Sequence, residues 1–208
     1  MSTEEPLVIQ RLPPFIAACC LLVYWGAVVS KALRAMRKQK QDVNLIPRER
    51  TGRWLRLIWI PAIVAWCVQP WLALRTKSLA GIDPLGLVIG FAGAGVSLGA
   101  TIATFSCWRE MGKSWRIGIN PSEKTKLIFT GPYRIVRHPI YALSILLIWA
   151  TLATTRTPMM LLLTLLHSIL MQWEARREEA YLLEKHGDAY ADYMKRVGRF
   201  FPRAQSYR

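Results

Sequence analysis

Residues 85–105 read LGLVIGFAGAGVSLGATIATF, an apolar run without a charged side chain. At about 1.5 Å per residue a helix of this length reaches roughly 31 Å, enough to cross the hydrocarbon core of a bilayer. Gly86, Gly90 and Gly93 lie on one face of such a helix, and small residues let a second helix approach closely. We expect this face to pack within one subunit. The alternative is a dimer formed through this third helix.

Four further apolar runs surround this segment: residues 12–30, 54–74, 140–154 and 158–173. The last two are short for a span, and the break between them is typical of a tight helical hairpin. Pro13 and Pro14 are expected in the first turn of the first helix, where a missing N–H costs little. The pattern predicts an all-α, polytopic integral membrane protein with about five transmembrane helices.

The same pattern predicts two regions. Residues 1–105 would hold transmembrane helices 1–3. Residues 106–208 would hold a long polar loop, a transmembrane hairpin and a charged C-terminal helix, and this second region is the candidate catalytic one. Loops as long as 106–139 are usually functional or disordered, and the aromatic residues in this loop argue against disorder.

The chain carries 28 Lys and Arg against 13 Asp and Glu. Blocks 31–56, 106–139 and 174–208 contain all the basic residues except Arg11, Arg75, Lys77 and Arg156. Basic blocks just beyond apolar runs are typical of cytoplasmic loops that face anionic lipid. The placement argues against a nucleic-acid partner, and it predicts that the N-terminus is outside and that the long loop and the C-terminus are inside.

Neither a cleaved signal peptide nor a metal site is expected. The first apolar run follows Glu4 and Glu5 and has no cleavage site of a signal peptide, so we expect it to be retained as a span. The four cysteines form no Cys-x-x-Cys pair, and we expect no metal site.

Charged side chains border the predicted hairpin on both sides. Arg134, Arg137 and His138 precede Pro139, which would begin the fourth helix, and a helix N-terminus with basic side chains favours an anion. The alternative is ordinary contact with lipid headgroups. Glu178 and Glu179 follow the last apolar run, where they either pair along an exposed helix or hold a cationic or hydroxylated ligand beside the basic corner.

These segments resemble a known family. The sequence Arg137-His138-Pro139-Ile140-Tyr141 matches an Arg-His-Pro-x-Tyr signature, with residues 127–133 as its lead-in. The C-terminal match consists of Glu178, Glu179, Gly187, Tyr190, Tyr193, Arg196 and Val197. Over residues 107–202 the chain is similar to the isoprenylcysteine carboxyl methyltransferase and phospholipid methyltransferase superfamily of membrane enzymes. It departs from the family pattern at Leu143, where a Gly is common.

The resemblance implies S-adenosyl-L-methionine as methyl donor. Its sulfonium suits acidic groups and aromatic faces, and its carboxylate suits basic side chains and helix N-termini. The cofactor-binding residues implied are Leu127, Gly131, Tyr133, His138, Pro139, Tyr141, Glu178 and Glu179. Arg137 is the implied catalytic residue that anchors the acceptor, with Arg134 as the second candidate.

The acceptor implied is lipidic or membrane-embedded. Carboxyl O-methylation is favoured, and prenylcysteine, phosphatidylethanolamine and small hydrophobic acids or thiols all stay open. The alternatives are a phospholipid N-methyltransferase, an NADPH-dependent sterol-type reductase and a non-catalytic scaffold. The segment 112–118 resembles bacterial members, which implies a bacterial inner membrane with the site facing the cytoplasm. For His167, inside the fifth run, we expect a structural hydrogen bond, with a role in the site as the alternative.

Overall fold

A computed structural model describes residues 5–39, 47, 49–75, 83–112, 115 and 127–203. In this part of the chain the regular elements are α-helices, one short 3-10 turn at Gly131–Arg134 and one isolated β-bridge. The helices are α1 Glu5–Gln39, α2 Arg50–Arg75, α3 Pro84–Met111, α4 Pro139–Thr155, α5 Pro158–His186 and α6 Asp188–Arg196. The prediction of an all-α polytopic membrane fold is confirmed.

Three of the described helices, α1, α2 and α3, are long and apolar enough to cross a membrane. The predicted fourth span, α4, is apolar but has only 17 residues. The predicted fifth span is the first half of α5, a helix of 29 residues that continues without a break into the charged tail. The fourth and fifth spans, the orientation and the division at residue 105 therefore stay predictions.

The glycine face of α3 packs inside the subunit, as expected. A Cβ atom on Gly93 would lie 2.8 Å from the carbonyl oxygen of Ala150, so this glycine lets α3 and α4 touch through their backbones. A Cβ atom on Gly90 would lie 3.3 Å from the ring of Pro13 in α1. A dimer through α3 stays a prediction.

The expected position of the two N-terminal prolines is wrong. Pro13 and Pro14 lie inside α1, because the helix begins at Glu5 and not at residue 12. Both are buried, and the Pro13 ring fits against Gly90, where the facing helix has no side chain. Packing of this kind lets membrane helices tolerate an internal proline.

The hairpin between α4 and α5 is as tight as predicted. Arg156 adopts a left-handed conformation with φ 52° directly after α4. Thr157 then caps α5, because its side chain accepts a hydrogen bond from the Met160 amide at 3.1 Å. The hairpin turns the chain back so that the C-terminal half of α5 returns to the level of residues 133–139.

Candidate functional site

The signature begins in a loop that is fixed from two sides. Gly131 has a φ of 56°, which favours glycine, and a Cβ there would lie 3.0 Å from the Glu110 carboxylate of α3. The neighbouring Thr130 hydroxyl donates to the same carboxylate. On the other side, the Tyr193 hydroxyl of α6 donates to the Tyr133 carbonyl oxygen at 2.6 Å. The loop is thus tied to α3 and to α6.

The next residues are held by the chain beyond α6. Val136 and Gly198 form the isolated parallel bridge. The Arg137 amide donates to the Gly198 carbonyl at 2.8 Å, and the His138 amide donates to the Arg199 carbonyl at 3.1 Å. These bonds fix the backbone of the Arg-His pair just before α4.

Glu179 lies at the centre of an ion cluster that we call the Glu179 clasp: Glu179, Arg137, His138 and Arg199. Its Oε1 accepts from Arg137 Nε at 3.0 Å and Nη2 at 2.8 Å, and from Arg199 Nε at 3.0 Å. His138 Nε2 lies 3.2 Å from the same oxygen. Arg137 Nη1 also donates to the carbonyls of Met194 and Val197.

Glu179, at the centre of the clasp, is buried, and the groups around it stabilise its ionised form. Only 4% of Glu179 is exposed. Burial would raise the pKa of its carboxyl, but hydrogen bonds from His138, Arg199 and Arg137 outweigh that effect and hold the pKa well below its usual range. For His138, burial would lower the pKa, but Glu178 and Glu179 raise it above its ordinary value. Loss of Glu179 would leave the buried Arg137 guanidinium without its opposite charge.

A cavity of about 210 Å³ lies beside this clasp. Its walls come from α1, α2, α5 and α6, the C-terminal end of α3, the N-terminal end of α4 and the loop 127–138. Seven of the ten predicted site residues line it: Leu127, Tyr133, Arg137, His138, Pro139, Tyr141 and Glu178. Gly131, Arg134 and Glu179 are not among the lining residues.

Those three residues lie in other surroundings. Gly131 shapes the loop against Glu110, the side chain of Arg134 is exposed, and Glu179 faces the cations of the clasp. Their proposed contacts with cofactor or acceptor stay predictions. The positions of Gly131 and Glu179 indicate roles in holding the loop and the clasp, respectively.

One wall of the cavity carries the acidic groups. Glu178 is 23% exposed at its side chain, and its carboxylate lies 3.6 Å from His138 Nδ1. It also forms a hydrogen bond with the phenol of Tyr141, whose ring is stacked on the His138 imidazole with centroids 5.4 Å apart. Glu174 lies one turn earlier, and burial raises the pKa of its carboxyl. Arg177 donates to Glu174 at 2.6 Å and also pairs with Glu49.

Another part of the cavity wall is aromatic, and the sequence patterns did not single it out. It consists of Tyr24, Trp25, Trp59, Trp108 and Trp115. Arg56 also lines the cavity, with its guanidinium 5.1 Å from the centre of the Trp59 ring. Arg56 could have been predicted from the sequence as a residue of the site, because a charged residue inside an apolar run usually faces the interior of a helix bundle. The tryptophans could not be recognised from the sequence as cavity residues, because tryptophan is common near the ends of membrane-spanning helices.

His167 is the structural residue that we expected. Its Nε2 lies 2.8 Å from Ser144 Oγ, and Trp59 Nε1 donates to its Nδ1 at 3.4 Å. It is buried and does not line the cavity, although Ser144 and Trp59 do. Leu143, where the chain departs from the family pattern, packs against the main hydrophobic core and is also absent from the cavity wall.

Residues 88–189 match the family model described as phospholipid methyltransferase. This stretch of the chain belongs to the phospholipid methyltransferase family. The match begins in α3 and ends just after α5, so it contains the signature, the hairpin and both carboxylates that follow it. It confirms the resemblance and indicates a membrane methyltransferase.

Two curated relatives are bacterial resistance proteins. The nickel-cobalt-cadmium resistance protein NccN of Alcaligenes xylosoxydans xylosoxydans is 32% identical over 112 residues, which is 53% of this chain and 50% of that protein. The cobalt-zinc-cadmium resistance protein CzcN of Cupriavidus metallidurans is 27% identical over 167 residues, 79% of this chain and 69% of that protein. The alignment with NccN thus spans half the length of that relative.

Neither name states a reaction. Among the residues that the structure describes, no group of three or more His, Cys, Asp or Glu side chains is placed to hold a metal ion. The segment 112–118, which resembles bacterial family members, lies largely outside the described residues, since the structure gives only Gly112 and Trp115 there.

Proposed function

We propose that the protein is an S-adenosyl-L-methionine-dependent methyltransferase that methylates a lipidic or membrane-embedded acceptor, with a carboxylate as the favoured methyl-accepting group. The observation that carries the proposal is the cavity itself. Both halves of the family signature line it, and its remaining walls are aromatic and apolar. A polar donor and an apolar acceptor therefore have matching surfaces within one site.

The acidic wall fits the positive end of the donor. Glu178 is partly exposed and lines the cavity next to the stacked rings of His138 and Tyr141. A carboxylate and aromatic faces are the groups that attract a sulfonium. Bound there, S-adenosyl-L-methionine would supply an electrophilic methyl group carried on positively charged sulfur.

The start of α4 fits the anionic end of the donor. Pro139 occupies the first position of the helix and has no N–H, and Ile140 and Tyr141 follow it in the cavity wall. The first amides of a helix have no partners within the helix and attract negative charge. Arg137 lines the cavity here too, but its guanidinium already binds Glu179 and two backbone carbonyls.

The aromatic wall and the apolar residues Val28, Leu55, Leu170, Met171 and Leu182 support a binding position for the acceptor in this part of the cavity. Methyl transfer is an in-line displacement, so alignment and exclusion of water supply much of the rate. A carboxylate acceptor is ionised at neutral pH and needs no base, whereas an ammonium must first lose a proton. The positive-inside pattern favours a cytoplasmic opening of the cavity.

Phospholipid N-methylation is the second candidate, and the description of the family favours it. The carboxylates of Glu174 and Glu178 in the cavity wall would attract an ammonium headgroup and provide a base. Labelled methyl groups distinguish the two reactions, because alkali releases an O-methyl ester as methanol and leaves an N-methyl group in place.

The first experiment is ligand binding by the full chain in lipid nanodiscs. We expect S-adenosylhomocysteine to bind and NADPH not to bind. Binding of NADPH alone would favour a reductase, and binding of neither would favour a scaffold. Glu178→Gln is expected to weaken the binding of S-adenosyl-L-methionine, which carries the sulfonium, about tenfold or more, and to weaken that of S-adenosylhomocysteine, whose sulfur is neutral, much less. The matched control is Glu184→Gln, an exposed carboxylate on the same helix that does not line the cavity.

A further inference from the structure

His167 lies outside the cavity wall, but both of its hydrogen-bond partners line the cavity. Trp59 Nε1 donates to His167 Nδ1 at 3.4 Å, and His167 Nε2 lies 2.8 Å from Ser144 Oγ. Only 2% of His167 is exposed, and it is absent from the lining residues, whereas Trp59 and Ser144 are among them. A polar side chain inside an apolar run is costly and usually faces the interior of the helix bundle. His167 is thus placed directly behind the cavity wall.

The partners of His167 determine which of its ring nitrogens carries the proton. An indole N–H only donates, so Nδ1 accepts from Trp59 and carries no proton. The proton of the neutral ring is therefore on Nε2, which donates to the Ser144 hydroxyl. That hydroxyl is in turn hydrogen bonded to the hydroxyl of Tyr24, which also lines the cavity. One rigid imidazole ring thus connects an indole of α2 with hydroxyl groups of α4 and α1.

The imidazole has a fixed position because it also packs against a second tryptophan. Its ring centre lies 5.2 Å from that of Trp66. Trp66 is fully buried, and its N–H donates to the Thr151 hydroxyl at 3.2 Å. Trp66 and Thr151 do not line the cavity. The pair of Trp66 and Thr151 is therefore ordinary internal pairing, whereas His167 connects this fixed part of the core with the cavity wall.

The position of Trp59 affects the rest of the aromatic wall. Its ring packs edge-on against Trp25, with centroids 5.7 Å apart, and the Arg56 guanidinium lies 5.1 Å from its centre. Trp25 and Arg56 also line the cavity. Aromatic side chains provide large contact areas of specific geometry, so a rotation of the Trp59 indole would change the shape of the cavity.

We propose that His167 is a positioning residue for the methyl acceptor. As the neutral Nε2–H tautomer it fixes the Trp59 indole and the Ser144 hydroxyl, and thereby the part of the cavity wall against which the apolar portion of the acceptor packs. The inference rests on the proposed methyltransferase function and assigns a role in it to a residue outside the cavity wall. The acceptor is affected more than the donor, because Glu178, proposed for the donor, lies roughly 16 Å further along α5.

The first test needs no functional variant. In the full chain in nanodiscs, with histidine labelled with ¹⁵N, the signal of each ring nitrogen of His167 reports whether that nitrogen carries a proton. The signals are assigned by their loss in the variants described below. We expect a protonated Nε2 and an unprotonated Nδ1 at neutral pH. A proton on Nδ1 would overturn the proposal, because the bond from Trp59 could not then form.

Two substitutions separate the two bonds of His167. In His167→Asn the shorter amide can still accept from Trp59, and in His167→Gln the longer amide can still donate to Ser144. The probe for the acceptor is 1-dodecanol, a neutral amphiphile, and its binding is followed through the ¹⁹F signal of 5-fluorotryptophan at position 59. We expect His167→Gln to weaken dodecanol binding about tenfold and His167→Asn to weaken it less, while both retain the affinity for S-adenosylhomocysteine. His186→Gln, at the end of the same helix and outside the cavity wall, is the matched control.

Equal binding of dodecanol by the wild-type protein and both variants would overturn the proposal, as would a Trp59 signal that does not respond to dodecanol in the wild-type protein. An equal loss of dodecanol and S-adenosylhomocysteine affinity would also overturn it, because that result indicates a residue that only stabilises the fold. The tautomer measured in the wild-type protein decides where a variant does not fold. Failure of the proposed function looks different, since S-adenosylhomocysteine then does not bind to the wild-type protein, while the response to dodecanol is judged by itself.

Discussion

Glu178 and Glu179 are neighbours on α5, yet they belong to two different regions. Both approach the His138 imidazole, Glu178 at Nδ1 and Glu179 at Nε2. Glu179 is buried between the guanidinium groups of Arg137 and Arg199 and the His138 imidazole, whereas Glu178 is partly exposed and lines the cavity. The comparison teaches that one carboxylate holds the side chains of Arg137, His138 and Arg199 together, and that the adjacent one lines the cavity.

The largest effect is expected from Glu179→Gln. The change leaves Arg137, Arg199 and His138 without the buried negative charge that compensates them, and breaking a buried ion pair in this way typically costs about 3–5 kcal/mol. We expect the free energy of unfolding in detergent to fall by an amount of that order. Glu184→Gln is the control. A stable Glu179→Gln protein that has lost only its cofactor affinity would instead place Glu179 in the binding site, as the family signature implies.

Arg137→Lys should have the next largest effect. The guanidinium makes two bonds to Glu179 and further bonds to two carbonyls, and an ammonium lacks this planar fork. We expect a loss of about 2–3 kcal/mol in stability together with most of the turnover. Full stability with lost turnover would support the original idea that Arg137 anchors the acceptor. Unchanged turnover would remove that role and leave Arg134 as the next candidate.

The effect of Glu178→Gln should distinguish the cavity wall from the Glu179 clasp. Because Glu178 is 23% exposed and lines the cavity, its replacement should change the stability by less than about 1 kcal/mol. The same substitution is the one expected to weaken the binding of S-adenosyl-L-methionine. A stability loss as large as that of Glu179→Gln would mean that the two carboxylates form one structural unit.

The smallest effect is the pH dependence of the clasp. The pKa of His138 is raised in the folded state. Protonated His138 therefore contributes its full stabilisation of the fold below the ordinary pKa of 6.5, and this stabilisation is lost as the pH rises through the folded-state pKa. The pKa of Glu179 is lowered in the folded state. Ionised Glu179 therefore contributes its full stabilisation of the fold above the ordinary pKa of 4.5, and this stabilisation is lost as the pH falls through the folded-state pKa. Stability from the clasp should be greatest between those values. Unfolding measured from pH 4 to pH 9 should show a decline at the alkaline end that is absent in His138→Asn.

The sequence was sufficient for the overall fold because membrane spans need long uncharged runs. The glycines of α3, the break before Pro158 and the clustering of basic residues gave the helices and their order. The same reasoning placed the start of α1 too late, because prolines are read as helix starts unless a facing glycine such as Gly90 is known to receive the ring.

For the site, the family signature identified seven residues that line the cavity, but it gave adjacent residues equal weight. Glu178 and Glu179 look equivalent in the sequence. Their difference depends on which face of α5 meets residues 137–138 and on the return of the chain after α6, which brings Arg199 to Glu179. Neither contact is encoded in a local pattern.

What the sequence alone determined is the chemistry of the molecule: apolar helices, clusters of basic residues between them, an Arg-His pair and two adjacent carboxylates. What only the tertiary structure decided is which of these groups neutralise each other and which are left for a ligand. The physical reason is that a buried charge or donor must find its partner in three dimensions. Glu179 binds His138 and Arg137, which lie 41 and 42 positions away in the sequence, whereas the adjacent Glu178 lines the cavity.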